Sequence, residues 1–245
     1  MNFSAVSNRS LIGRALRLPL RLIPSSATLP ILQGRLRGQR WIVGSAEHGC
    51  WLGSYEYAKR VVIERVVMPG NVVFDVGANV GYYTLLASLL VGRAGKVFAF
   101  EPVRKNLAYL ERHLRINGVS NVTVIDKAVS DRDGYVSFVD GPSASMGHFA
   151  ETGGYQVPTV AIDSLVERGE LPLPDFMKID VEGAELLVLR GAKRTIEQAR
   201  PVIALATDRL ALHRHCCDFL RGVGYELTPI GSASLDESEE ILATP

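Results

Sequence analysis

From Val72 onward, short apolar runs alternate with longer stretches of helical periodicity. The first of these runs, Val72–Val76, is rich in β-branched residues, which is typical of a strand buried on both faces. Such alternation predicts a parallel sheet covered on both faces by helices. The predicted strands are Val72–Val76, Lys96–Glu101, Val122–Asp126, Phe176–Asp180, Val202–Ala206 and Tyr225–Pro229. The predicted helices are Tyr82–Val91, Lys105–Asn117, Ala184–Glu197 and Leu210–Val223. Ile241–Ala243 is either a seventh strand or a frayed tail.

The interval Asp131–Ile162 breaks this alternation, because glycines separate short β-like pieces such as Tyr135–Val139 and Val157–Ile162. We expect a small β-rich insertion there, able to shape a substrate pocket. The sequence therefore predicts an α/β fold, a doubly wound and mainly parallel seven-stranded sheet of the Rossmann-like type. We assign residues 47–245 to one domain, with its core at 72–230, and residues 1–46 to a basic N-terminal extension.

The charged residues of the extension are all basic. It contains no acidic residue and no lysine, but seven arginines, which are Arg9, Arg14, Arg17, Arg21, Arg35, Arg37 and Arg40. Leucines interleave with three of these arginines at helical spacing, which suits a helix lying on a membrane surface. The alternative that we favour is an extension that packs on its own domain or is partly disordered, and peripheral membrane contact stays a hypothesis.

Several function classes are disfavoured by composition. The chain lacks an apolar run of the roughly 18 residues that a membrane span needs, and it lacks a secretory leader pattern, so we expect a cytoplasmic protein. Its three cysteines suit a reducing compartment. Without the extension the chain is acidic and shows no basic stripe with stacking aromatics, so we do not expect it to bind nucleic acid. The sequence does not indicate an oligomeric state.

The segment V-V-F-D-V-G-A-N-V-G at residues 72–81 reads as a strand, a tight turn and the start of a helix. Glycine lets a ligand lie against the backbone at the carboxyl end of such a strand. A dinucleotide-binding turn has three glycines, as G-x-G-x-x-G, but only Gly77 and Gly81 are present here. The turn therefore favours a cofactor without a diphosphate, whose ammonium group Asp75 helps to orient.

Glu101 ends the second predicted strand. A carboxylate at this position can accept hydrogen bonds from both hydroxyls of a ribose. An isolated acid at a strand end is more often solvated or a helix cap. Together with the glycine turn, however, Glu101 predicts a cofactor that contains an unphosphorylated ribose.

The fourth predicted strand ends in K-I-D-V-E-G, which places Asp180 and Glu182 just before a helix. The first and fourth strands flank the switch point of a doubly wound sheet, so both carboxylates should face the glycine turn across the ligand crevice. We expect the chemistry to take place there. The structural alternative is that Glu182 only favours a helix N-terminus.

These motifs resemble one known family. The set D-V-G-A-N-V-G-Y-Y-T, F-E-P, K-I-D-V-E-G-A-E and V-L-R-G-A is similar to the FkbM-type S-adenosylmethionine-dependent methyltransferases, as is W-L-G-S-Y-E at residues 51–56. The resemblance implies methyl transfer to a hydroxyl of a small molecule such as a sugar, glycolipid or polyketide. It also implies a cofactor site in which Asp75, Gly77, Asn79 and Gly81 hold the methionine part, Glu101 the ribose, and Asp126 and the residues after it the adenine.

Methyl transfer to an alcohol also needs a group that accepts or orients the hydroxyl proton. Glu182 or Asp180 is our candidate, since a carboxylate in a partly dry cleft can have a raised pKa. One departure from the family pattern concerns the strand after Pro201, which ends in Ala206-Thr207-Asp208 where many relatives have a glutamate. Asp208 is a possible replacement, and the acceptor class is open.

Three other interpretations of the sequence are less favoured. His213, His215, Cys216 and Cys217 invite a metal site, but no second Cys/His pair is evident, so we expect no metal and an ordinary helix with surface histidines and buried thiols. A nucleotide-dependent oxidoreductase is disfavoured by the missing third glycine. A noncatalytic sugar- or lipid-binding protein on the same fold remains the alternative from a different class.

Overall fold

The structure, a computed structural model, describes residues 19–139, 148–150, 154–207 and 209–245. Its strands are, in chain order, β1 Thr28–Pro30, β2 Arg40–Ile42, β3 Val72–Val76, β4 Lys96–Phe100, β5 Val122–Ile125, β6 Ala128–Val129, β7 Gly134–Val139, β8 His148–Ala150, β9 Tyr155–Val160, β10 Phe176–Ile179, β11 Val202–Ala206, β12 Glu226–Pro229 and β13 Glu240–Thr244. Its α-helices are α1 His48–Leu52, α2 Tyr57–Val66, α3 Tyr82–Val91, α4 Arg104–Ile116, α5 Ile162–Glu167, α6 Glu185–Gly191, α7 Lys193–Ala199 and α8 Leu210–Gly222.

Seven strands form the main sheet, in the order β12-β13-β11-β10-β3-β4-β5. The five strands from β11 to β5 run parallel to one another, and β13 runs antiparallel between β11 and β12. The predicted doubly wound, mainly parallel seven-stranded sheet is confirmed. The carboxyl-terminal segment is a strand and not a frayed tail, because β13 pairs on both of its edges.

The structure has two helices where the sequence predicted one. The stretch expected as a single helix over Ala184–Glu197 divides into α6 and α7, which meet at Ala192. The end of α6 runs against the backbone at Ser130, where a side chain at Gly191 would overlap the Ser130 carbonyl oxygen. This close approach of a helix end to another chain segment is not visible in helical periodicity, so the prediction of one helix was wrong.

The core has one layer on each face of the main sheet. Side chains alternate between the two faces of a strand, and β3 shows the division. Val73 packs with Leu86 on one face, whereas Phe74 and Val76 belong to the cluster on the other. Burial on both faces explains why these strands read as continuous apolar runs.

The predicted β-rich insertion is present. Strands β7, β8 and β9 form a small sheet with β6, in the order β6-β9-β7-β8. Its pairs are antiparallel, except that β6 runs parallel to β9.

Residues 28–46 of the predicted extension pack on the domain. Strands β1 and β2 form a hairpin, and Trp41 is fully buried in a stack on His113, with ring centroids 3.9 Å apart. The Ile42 amide donates to His113 Nε2 at 3.1 Å, and His113 Nδ1 lies 2.7 Å from the Val80 carbonyl oxygen. His113 is therefore neutral with its proton on Nδ1. Burial lowers its pKa to about 4.

The hypothesis of membrane contact rests on Arg14, Arg17 and Arg21, and the first two of these arginines lie outside the described residues. Within the described residues, no helix combines the length and apolar character needed to cross a bilayer.

Candidate functional site

The glycine turn connects β3 to α3 at the carboxyl edge of the main sheet. Gly77, Asn79 and Gly81 all have positive φ, at +79°, +49° and +93°. A Cβ on Gly77 would overlap the carbonyl oxygen of Asp180, which follows the neighbouring strand β10. Glycine at this position is therefore needed both for the backbone conformation and for the close approach of two strand ends.

Glu101 lies against this turn from the end of β4. It is buried, with 4% of its surface exposed. Its carboxylate accepts hydrogen bonds from the amides of Asn79 at 2.8 Å and Val103 at 2.9 Å, and from the Asn106 side chain at 3.2 Å. Burial raises the pKa of Glu101 above its ordinary value, and these three donors offset part of that rise. The structure thus brings the predicted glycine turn into direct contact with Glu101, the carboxylate predicted to bind a ribose.

Asp75 lies beneath the turn and is 1% exposed. The Thr84 hydroxyl donates to one of its oxygens at 2.6 Å, and the Lys178 ammonium lies 3.3 Å from the other. The same ammonium donates to the Gly77 carbonyl at 2.6 Å. Asp75 and Lys178 are opposite each other in the register of β3 and β10, so this ion pair holds the turn from below.

Asp180 follows β10 and lies between two lysines. Lys59 Nζ is 3.2 Å and Lys178 Nζ is 3.8 Å from the same carboxylate oxygen. Burial alone raises the pKa of Asp180, but the two ammonium groups outweigh it, so this pKa lies below its ordinary value.

Glu182 lies two residues after Asp180, in a tight bend between β10 and α6. Its φ is +56° and that of Gly183 is +102°, so two consecutive residues adopt the left-handed conformation. The buried Glu185 carboxylate stabilises the bend by accepting from the amides of Gly183 at 3.0 Å and Val181 at 3.3 Å. Glu182 itself is partly exposed. The bend therefore sets its position at the edge where the glycine turn also lies.

Asp126 is exposed and directly follows β5, beside β4. The Glu101 amide donates to the Ile125 carbonyl at 3.1 Å, which places Asp126 next to Glu101 along the edge. All eight predicted site residues therefore lie in, or directly after, four adjacent strands, in the order β5, β4, β3 and β10. This common edge is where doubly wound folds bind ligands.

Besides Glu185, three charged residues at the site were not among the predicted ones. They are Lys59 on α2, Lys178 on β10 and Glu240 at the start of β13. The sequence contained an indication of Lys178, because it is the charged residue within a buried run that is otherwise apolar. The other two reach the site through tertiary packing, which local pattern does not report. Asp208, named as a replacement carboxylate, lies outside the described residues.

The helix α8 corrects one expectation. Cys216 and Cys217 are buried thiols as predicted, but His213 is also buried and not a surface residue. Its Nδ1 lies 2.8 Å from the Thr207 hydroxyl at the end of β11, which explains why the side chain turns inward. Among the described residues, no group of three His, Cys, Asp or Glu side chains is arranged to hold a metal ion.

Comparisons with known proteins indicate the family and the fold. A profile described as the Methyltransferase FkbM domain matches residues 75–227, more than half of the chain. The hexuronic acid methyltransferase AglP of Haloferax volcanii is 36% identical over 136 residues, which are 54% of this chain and 54% of that protein. The chain thus spans about half the length of this curated relative.

Two solved structures share the fold. The crystal structure of Methyltransferase FkbM from Methylobacillus flagellatus matches with a TM-score of 0.50 at 21% identity, covering 82% of this chain and 56% of that one. The fibrillarin of Aeropyrum pernix, solved with natively bound S-adenosyl-L-methionine, matches with a TM-score of 0.50 at 15% identity, covering 78% of this chain and 74% of that one.

Proposed function

Because this chain belongs to the FkbM methyltransferase family, we propose that it transfers the methyl group of S-adenosylmethionine to a hydroxyl of a sugar-containing acceptor. One observation carries the cofactor assignment. A buried carboxylate, Glu101, and a turn with three positive-φ residues meet at the ends of two adjacent parallel strands. This arrangement suits a ribose next to an amino-acid group.

The residues of the turn fit such a cofactor. The side-chain oxygen of Asn79 is buried and has no hydrogen-bond partner among the described residues, so it is an acceptor that a ligand can satisfy. Three donors hold the Glu101 carboxylate in place and use three of its about four acceptor sites. The remaining site, on Oε2, can accept a hydrogen bond from a ribose hydroxyl. Asp75 contributes through Lys178 and the turn, because it is almost completely buried.

When bound, the cofactor supplies an electrophilic methyl group on a positively charged sulfur. The protein contributes orientation of the acceptor hydroxyl and removal of its proton. Of the two carboxylates predicted for this role, Glu182 suits it better. Asp180 is held ionised by two lysines, and a carboxylate with a lowered pKa is a weak proton acceptor. We assign proton acceptance or hydroxyl orientation to Glu182, and the support of the site to Asp180.

The acceptor class rests on the relative at 36% identity, whose name gives a hexuronic acid as its substrate. A sugar presents several hydroxyl donors, which suits a site edge rich in carboxylate acceptors. Methylation at oxygen follows from the same reasoning, since a carboxylate positioned by a rigid bend can accept a hydroxyl proton.

Calorimetric titration tests the cofactor assignment. We expect wild type to bind S-adenosylmethionine and not NAD, and Glu101→Gln to weaken binding by about 10- to 100-fold, the effect of losing hydrogen bonds to a charged acceptor. Glu111→Gln, an exposed change on the adjacent helix α4, is the control and should leave the affinity unchanged. Binding of NAD by wild type, or equal affinity in both variants, would contradict the assignment.

Methyl transfer is measured separately, with tritium-labelled S-adenosylmethionine and a panel of glycosides. Product that keeps its label after mild alkaline treatment is an ether and not an ester, so it supports transfer to a hydroxyl. Cofactor binding without transfer to any glycoside would favour the noncatalytic reading.

A further inference from the structure

Lys59 forms ion pairs with three carboxylates, one from a residue three positions earlier and two from distant parts of the chain. Its ammonium nitrogen lies 2.9 Å from Glu56, 3.2 Å from Asp180 and 2.7 Å from Glu240. The lysine side chain is 4% exposed, whereas the three carboxylates are 28%, 26% and 25% exposed. The Tyr83 ring lies on another side of the ammonium, with its centroid 5.5 Å away. The buried cation therefore holds the carboxylates in place, and the carboxylates face outward.

Strand register brings Glu240 to this cluster. In the antiparallel pair of β11 and β13, Glu240 is directly opposite Ala206, the last residue of β11. Residues opposite each other in such a pair place their side chains on the same face of the sheet. The Glu240 carboxylate thus reaches the carboxyl end of β11, where that strand has only the small Ala206 side chain.

A narrow crevice lies at this point, and its polar lining comes from Lys59, Lys178, Asp180 and Glu240. If the proposed function holds, the cofactor lies over β3 and β4, where Glu101 and the glycine turn are. The edge over β10 and β11 is then the part of the site left for the acceptor, and the crevice belongs to it.

The charges of the crevice restrict what can bind there. Three carboxylates surround one lysine, and the adjacent Asp75–Lys178 pair is neutral as a unit, so the local charge is negative. Ionised carboxylates accept hydrogen bonds and do not donate them. A ligand with several hydroxyls satisfies them, whereas an acidic ligand is repelled. We propose that Glu240, held by Lys59, is a specificity-determining residue that selects an uncharged polyhydroxylated acceptor over a uronate, a choice that would distinguish this chain from the relative named for a hexuronic acid.

Matched acceptor pairs test this inference. Each pair consists of a p-nitrophenyl hexoside and its uronide, of gluco, galacto and manno configuration, which differ only in the group at C6. Labelled methyl transfer is measured for wild type, for Glu240→Gln, and for the control Glu239→Gln, which removes the same charge from the exposed neighbouring residue. Glutamine can still accept a hydrogen bond from Lys59, and thermal unfolding checks that the variant is folded.

We expect wild type to prefer the neutral member of an accepted pair by at least about tenfold, the effect of one like charge roughly 5 Å away in a partly hydrated site. Glu240→Gln should reduce this preference several-fold, and Glu239→Gln should not. Added salt should reduce the wild-type preference as well, which a purely structural role of Glu240 would not explain.

The outcomes separate this inference from the proposed function. Preference for the uronide, or an unchanged ratio in Glu240→Gln, overturns the selection by Glu240 while transfer to a sugar hydroxyl stands. Cofactor binding with no transfer to any hexoside or uronide contradicts the proposed function, and the inference fails with it.

Discussion

Gly77→Ala should destabilise the glycine turn more than an added methyl group at any other position of the turn. A non-glycine residue in the left-handed conformation costs about 1–2 kcal/mol. The new Cβ would also lie more than about 1 Å inside the 3.0 Å limit that real Cβ atoms keep, against the Asp180 backbone oxygen. The ends of β3 and β10 must then part, which weakens the Lys178–Gly77 hydrogen bond and the bond from the Asp180 amide to Val76.

Each weakened hydrogen bond costs about 1 kcal/mol, so with the conformational cost the total loss of unfolding free energy should be about 3–4 kcal/mol. Gly118→Ala is a matched control, because Gly118 has φ +64° and a Cβ there would contact nothing within 4 Å. It should lose only the conformational cost of about 1–2 kcal/mol. Urea unfolding measures both variants, and titration with S-adenosylmethionine should show a large loss of affinity for Gly77→Ala alone. Equal losses in the two variants would refute the argument from close approach.

Two further predictions concern Glu182 and His113. Glu182→Gln should lower turnover by about 100-fold or more, as expected when a group that accepts a proton is removed, and should leave cofactor affinity within about twofold; a strong loss of that affinity would contradict the separation of roles. The pKa of His113 is lowered from 6.5 to about 4 by burial. The unfolded chain therefore takes up the proton first, and the unfolding free energy should fall by about 2–3 kcal/mol as the pH drops from 6.5 to about 4.5. In urea unfolding at several pH values, His113→Gln should flatten this dependence, whereas the exposed control His215→Gln should not; parallel curves for wild type and His113→Gln would count against the assignment.

The strands of the main sheet could be predicted because their signal is local. Burial on both faces makes each strand a continuous apolar run. Because helices alternate with these strands along the chain, the pattern indicates parallel strands joined by helical crossovers. The contact of Glu101 with the glycine turn was also predictable, since both follow strands that a parallel fold brings to one edge. Ends of elements differed by one residue at several places, as with the strand that ends at Phe100.

The rest depends on contacts between remote segments. Gly191 ends α6 because the helix meets Ser130 some sixty residues earlier in the chain, which helical periodicity does not encode. Lys59 reaches Asp180 across 121 residues, and the register of β13 on β11 sets where Glu240 lies. Charged residues on helix α2 and at a strand start look like ordinary surface positions until the tertiary fold places them together.

Lys178 joins the two halves of the candidate site. Its ammonium group contacts the Gly77 carbonyl on the proposed cofactor side and lies 3.8 Å from Asp180 on the proposed acceptor side. Buried charges are stable only when paired, so the position of each partner depends on the others. Removing Lys178 would leave Asp75 as a buried carboxylate with only the Thr84 hydroxyl, and Asp180 with Lys59. A substitution of Lys178 should therefore change cofactor affinity and turnover together. Glu101 and Glu182 lie at opposite ends of the candidate site, so substitution of Glu101 should change mainly cofactor affinity and substitution of Glu182 mainly turnover.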